Sequence, residues 1–199
     1  MAADQLQEIA NQIQDFDFAE EQDDVWSYCW GPSKYGSKKA YKSMQVHSEA
    51  SPLFSWLWAS DNLGKHKFFF WLLLRDRLNT RNLLRRKNMH LDEYNCVLCS
   101  TGEEETCFHL FFQCPFSQTC WSTIPINWNL SMQPLDMVIQ AREDFGSIIF
   151  REIFITACWI IWITRNGVIL DNEQANFNAW KRRFREELGL VCTKAKPTM

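Results

Sequence analysis

The first 24 residues contain no lysine or arginine, and "MAADQLQEIANQIQDF" has none of the continuous apolar stretch that a secretory leader carries. The expectation is therefore an intracellular protein, nuclear or cytoplasmic, and not a secreted one. Long hydrophobic runs are missing as well. The longest, "IFITACWIIWI" at 153–163, is interrupted by Thr156 and preceded by Arg151 and Glu152. It falls short of the roughly 20 residues of a membrane helix and reads as a buried helix. Internal repeats and low-complexity blocks are absent. No glycine-rich phosphate loop and no G-x-S-x-G elbow occurs, and His47, His66 and His90 stand isolated, as surface or packing residues do. Nothing in this inventory points to an enzyme.

What is present is a core. Of 199 residues, 46% are hydrophobic, with 15 Phe and 10 Trp, enough for one folded domain. Charge is distributed unevenly. Residues 1–24 hold eight Asp or Glu, and removing these from the net charge of −3 leaves +5 on residues 25–199. An acidic leader thus precedes a mildly basic body.

Periodicity gives a mainly α fold, a compact multi-helix domain. Leu6, Ile9, Ile13 and Phe16 form one apolar stripe on a leader helix within 1–24. Trp26, Tyr28 and Trp30 alternate ahead of Gly31-Pro32 and Tyr35-Gly36-Ser37, predicting a small N-terminal β-hairpin. Helices are expected at 38–46, after Ser51-Pro52, through "KHKFFFWLLLRDRL", and over "RNLLRRKN" with Thr80 as cap. Beyond a loop at "TIPINWNLSMQP", further helices are expected at 134–144, 147–166 and 176–191, with a break at Gly146. The domain proper is read as 25–192 and the tail as 193–199.

Eight cysteines without a secretion signal point to core positions or metal ligands rather than disulfides. Four of them fall in "NCVLCSTGEEETCFHLFFQC" at 95–114. Cys96, Cys99, His109 and Cys114 make C-x2-C-x9-H-x4-C, a Cys3His set able to surround one structural Zn2+ tetrahedrally and staple a polar loop to an aromatic body. Metal can order "STGEEET", which is too polar to order itself by burial. Cys107 could replace His109 in that set. Four protein ligands leave no open position, so such a zinc is structural. Cys29, Cys120, Cys158 and Cys192 are scattered and read as structural.

The stretch "KFFFWLLLRDRLNTRNLLRRKNMHLDEYNCVLCSTGEEETCFHLFFQCPFSQTCW" resembles the zinc-binding domain at the C-terminal end of plant LINE-type (non-LTR) retrotransposon reverse transcriptases. The likeness lies in the F-x-W and R-x-L-x-T helix, the C-x2-C, the Glu105-Thr106-x-x-His109-Leu110 stretch, Cys114-Pro115 and Trp121. "DVWSYCWGPSKYGSKKAYKSM" and "IIWITRN" resemble the tryptophan hairpin before that domain and the W-x-x-x-R-N helix after it. One departure is "NLGKHK", where the family usually carries a proline before the main helix. The resemblance implies zinc on Cys96, Cys99, His109 and Cys114 and a module separated from its polymerase. The Tyr-x-Asp-Asp turn of a polymerase is missing, since the one Asp-Asp pair, Asp23-Asp24, sits in the acidic "EEQDDVW".

In such a family the domain is expected to help hold RNA or DNA. The local support is a basic run of Arg75, Arg77, Arg81, Arg85, Arg86 and Lys87, net +5 with Asp76, and a second set of Lys181, Arg182, Arg183 and Arg185. Both lie on predicted helices beside aromatics, a composition suited to weak, salt-sensitive binding of single strands. The alternative partner is another protein, bound through aromatic and helical surface.

Overall fold

In a computed structural model of the chain the described residues are Gln7, Asn11, 36–44 and 52–194. The chain divides into two units, Met1–Glu49 and Ala50–Met199. In the first, Gln7 and Asn11 are helical and Gln7 Nε2 donates to Asn11 Oδ1 at 3.4 Å, while α1 spans Ser37–Met44. The rest of the expected leader helix lies outside the described residues. So does the expected hairpin over 26–37, apart from Gly36 and Ser37, where Ser37 already begins α1. Among the described residues there is no β-strand, only an isolated antiparallel bridge between Asn95 and Glu104.

The second unit is helical and its boundaries follow local chemistry. Helix α2 is Pro52–Trp58 and α3 is Gly64–Leu74. The start of α3 lacks a side-chain cap, Leu63 entering it from extended backbone. Helix α4, Arg81–Arg86, starts where Thr80 accepts from the Leu83 N–H at 3.3 Å. Helix α5, Pro115–Trp121, and α6, Pro134–Phe145, each carry proline in the first turn, where its missing N–H costs nothing. Gly146 closes α6 in the left-handed region (φ +64°), and its N–H returns to the Arg142 carbonyl at 3.2 Å. Helices α7, Phe150–Leu170, and α8, Phe177–Lys194, complete the unit, α8 reaching past the expected end at 191.

Helix α7 is the axis of the core, packing against α3, α6 and α8. At 21 residues, with a mean hydropathy of 1.7 over its most apolar window, it is long and apolar enough to cross a bilayer, longer than the run at 153–163 suggested. Yet 61% of that window is buried within the protein, so α7 is a core helix by its packing rather than by its length. Phe154 on α7 sits 5.1 Å from Phe70 of α3 and 5.1 Å from Trp128, and Trp128 stands 5.0 Å from Phe112. Trp180 of α8 is fully buried and stacks on Phe184 at 5.1 Å. Each buried aromatic ring of this size is a large single contribution to the apolar stabilisation. Phe111 and Phe112, from the cysteine-rich segment, belong to the same cluster, so the candidate site is built onto the core rather than beside it.

Candidate metal centre

The bridge between Asn95 and Glu104 is the base of the site. Cys96 N–H donates to the Glu103 carbonyl at 2.8 Å and Glu105 N–H to the Tyr94 carbonyl at 2.9 Å, folding 94–105 back on itself. Gly102, at φ +75°, takes the left-handed turn that a side chain would resist. This fold-back presents Cys96 and Cys99 from one loop.

His109 and Cys114 come from a different device. Five residues apart on an α-helix they would point about 140° away from each other, at 100° per residue. Here 109–113 form a π turn, and the Cys114 N–H reaches the His109 carbonyl at 2.7 Å. The wider turn brings both side chains to one side. Pro115 ends it, because a residue before proline is driven out of the α region, and Cys114 has ψ 129°. Thr106 Oγ1 accepts from the His109 N–H at 2.9 Å and fixes the start of the turn.

The four donor atoms lie within 4.8 Å of one another. Cys96 Sγ and Cys114 Sγ are 3.8 Å apart, and Cys99 Sγ and His109 Nε2 are 3.4 Å apart. A tetrahedral ion bound at about 2.3 Å to sulfur and about 2.0–2.1 Å to nitrogen spaces a sulfur pair by about 3.8 Å and a sulfur–nitrogen pair by about 3.6 Å. The donor set therefore fits a tetrahedral metal, and these four residues can hold one. Cys96, His109 and Cys114 are buried and Cys99 is half-buried.

Local electrostatics favour thiolate at one corner. Cys114 accepts from the Cys96 thiol, and this bond, opposed by burial and aided by the N–H groups of Ser117 and Phe116, brings it down to about 5. Cys96, the donor of the same bond and buried, is pushed up, although the Leu98 N–H directed at its sulfur works the other way. Backbone donors on ligand sulfurs are what a cluster of anionic thiolates needs to be stable inside a protein.

Cys107 does not join them. Its thiol faces Asp76 and Thr80, and burial, then the charge and hydrogen bond of Asp76, push it up. His109, not Cys107, completes the set. Of the four scattered cysteines read as structural, Cys120 and Cys158 are buried, Cys192 is exposed, and Cys29 lies outside the described residues.

Sequence reasoning did not find the pair that ties the loop to the core. Glu105, fully buried, receives Arg165 Nη2 at 2.6 Å and Nε at 3.1 Å on Oε1, and the Arg81 N–H at 3.0 Å on the same atom. Arg165 Nη2 also reaches the Asn79 carbonyl at 3.2 Å, and its guanidinium lies 4.8 Å from the Trp162 ring centre. The signals were Glu105 in the loop motif and Arg165 in "IIWITRN", but 60 residues separate them.

The basic run is largely occupied by the fold itself. Arg81 Nη1 donates to the Asn95 carbonyl at 3.1 Å, Arg85 pairs with Glu104 at 3.1 Å, and Arg86 pairs with Asp76 at 2.5 Å. Lys87 donates to Asn79 Oδ1 at 3.2 Å and Arg75 lies over the Phe54 ring. On α8, Arg183 approaches Glu173 at 3.7 Å and Lys181 lies over Phe177. Among the described residues, Arg77, Arg182 and Arg185 are exposed and have no side-chain partner.

Residues 35–121 match the protein family described as zinc-binding in reverse transcriptase, a segment that holds all four donors and Glu105 and stops short of Arg165. No curated protein and no solved structure matches the chain significantly.

Proposed function

We propose that Cys96, Cys99, His109 and Cys114 hold one structural Zn2+, and that the chain is a non-catalytic module derived from the reverse transcriptase of a plant LINE-type retrotransposon. The observation that carries the zinc reading is the spacing of the donor pairs, 3.8 Å and 3.4 Å, in a segment that matches a zinc-binding family. Three thiolates and an imidazole suit zinc, and four protein donors leave no position for water or substrate. The ion would fix the C-x2-C loop to the π turn, while Glu105 and Arg165 fix the same loop to α7. Metal analysis of protein purified without added zinc tests this: one equivalent is expected, and its loss in Cys114→Ser.

The module's proposed role is to hold single-stranded RNA or DNA weakly and without strong sequence preference, inside the cell. Support comes from the family match and from the unpaired cations Arg77, Arg182 and Arg185, with Arg75, Lys87 and the Glu104-paired Arg85 adding to the field. Fluorescence anisotropy with labelled oligonucleotides across a salt series is the test, and absence of binding at low salt would remove this role. A second reading, a scaffold that binds another protein, is favoured by apolar residues standing in solvent, above all Ile148 at 92% exposure, with Leu135 and Ile139 one turn apart on α6. Loss of a co-purifying partner in Ile148→Ser would distinguish it.

A further inference from the structure

Between α2, α3, the 106–112 segment and α6 lies a cavity of about 660 Å³, within the range of small-molecule sites. Its walls are apolar: Phe70, Leu73, Phe108, Phe112, Val138 and Phe154 face it. Neither the zinc cluster nor the unpaired cations use it. The lining also holds polar side chains. Arg86 is neutralised by Asp76, but Arg75 has no carboxylate partner among the described residues and lies over the ring of Phe54. Thr106 lies on the lining too, and its hydroxyl, which accepts from the His109 N–H, keeps its own proton to donate.

An apolar cavity with one uncompensated cation and one free hydroxyl donor in its lining selects a ligand with an apolar body and a single anionic head. We propose that this cavity binds a small amphipathic anion, a carboxylate or sulfonate on an aliphatic or aromatic body, with the apolar part against Leu73, Phe108 and Leu135 and the anion at Arg75. Burial of the body supplies affinity, while the cation supplies preference for the charged head.

The probes are 8-anilinonaphthalene-1-sulfonate, whose fluorescence rises on apolar burial, and dodecanoate with dodecanol as displacers, all on the zinc-loaded full chain. Saturable binding at one site is expected, with dodecanoate displacing the dye at concentrations at which dodecanol does not. Arg75→Gln removes a charge-assisted contact and should weaken dye binding by about tenfold. Leu135→Glu, a change at an exposed lining position, should weaken it by placing a like charge in the lining, and Val138→Trp should abolish it by filling the cavity. If Val138→Trp does not fold, the other two variants decide. Unsaturable binding, equal displacement by dodecanol, or dye affinity unchanged in both Arg75→Gln and Leu135→Glu would overturn the proposal.

Discussion

Arg165 closes on Glu105 with Nη2 at 2.6 Å and Nε at 3.1 Å from Oε1, a contact across 60 residues of sequence in which both side chains are almost wholly buried. One end is in the loop that carries Cys96 and Cys99, and the other is on the central helix of the core. Breaking one partner of such a pair leaves a buried charge uncompensated. Arg165→Met should therefore destabilise the unit by about 3–5 kcal/mol in urea unfolding, whereas Glu105→Gln combined with Arg165→Met should recover part of that loss. A double variant no more stable than Arg165→Met alone would contradict the pairing.

The two cysteines nearest His109 in the segment should separate cleanly. Cys114→Ser removes a donor and should lower zinc content from one equivalent to near zero, with loss of the folded state. Cys107→Ser should leave zinc content unchanged, because its thiol faces Asp76 and Thr80. Metal content and far-ultraviolet circular dichroism of the two variants check this together.

Stability should fall on mild acidification through His66. Burial is the largest influence on this fully buried imidazole and holds it below 6.5, against the raising effect of Glu187 bonded to Nε2 at 2.8 Å. Its Nδ1 has no partner, so a second proton there would be buried and unpaired. The unfolded chain binds the proton at about 6.5 and the folded chain only at lower pH, so the unfolded state takes up more protons between the two and stability falls as pH drops below about 6.5. Burial raises Glu187, but its bonds to Lys65 and His66 outweigh that and leave it lowered, so its contribution, present above 4.5, is lost as pH falls through the folded value. Both groups act in one direction. In His66→Asn the pH dependence of unfolding between 7.5 and 5.5 should be shallower than in the wild type, a comparison that cancels acid release of zinc.

If the chain holds single strands, the unpaired cations should matter more than the paired ones. Changing Arg77, Arg182 and Arg185 to Gln should weaken binding and reduce the salt slope by about 2, at roughly 0.7 per phosphate contact. Arg81 and Arg85 are poor probes, since removing them also frees Asn95 and Glu104 at the base of the metal loop.

Much of this architecture was readable in advance because its causes are local. Thr80, Pro134 and Gly146 mark helix ends through their own backbone chemistry, and the donor spacing 96, 99, 109, 114 is a property of one short segment. The π turn was not readable, because the sequence at 109–113 resembles that of an ordinary helical turn. Which of Cys107 and His109 is the donor depends on how that turn is wound. The pairing of the basic run depends on partners from other segments, Glu104 and Asn95 for the arginines of α4, and so does the fork between Glu105 and Arg165. Charge counting alone had read as open surface what the fold partly uses to brace the loop.

X-ray absorption at the zinc edge of the purified protein reads the proposed centre at the metal itself. One zinc per chain is expected, with three sulfur neighbours at about 2.3 Å and one nitrogen at about 2.0–2.1 Å. A first shell containing oxygen, or a well-folded protein with no zinc, would contradict it.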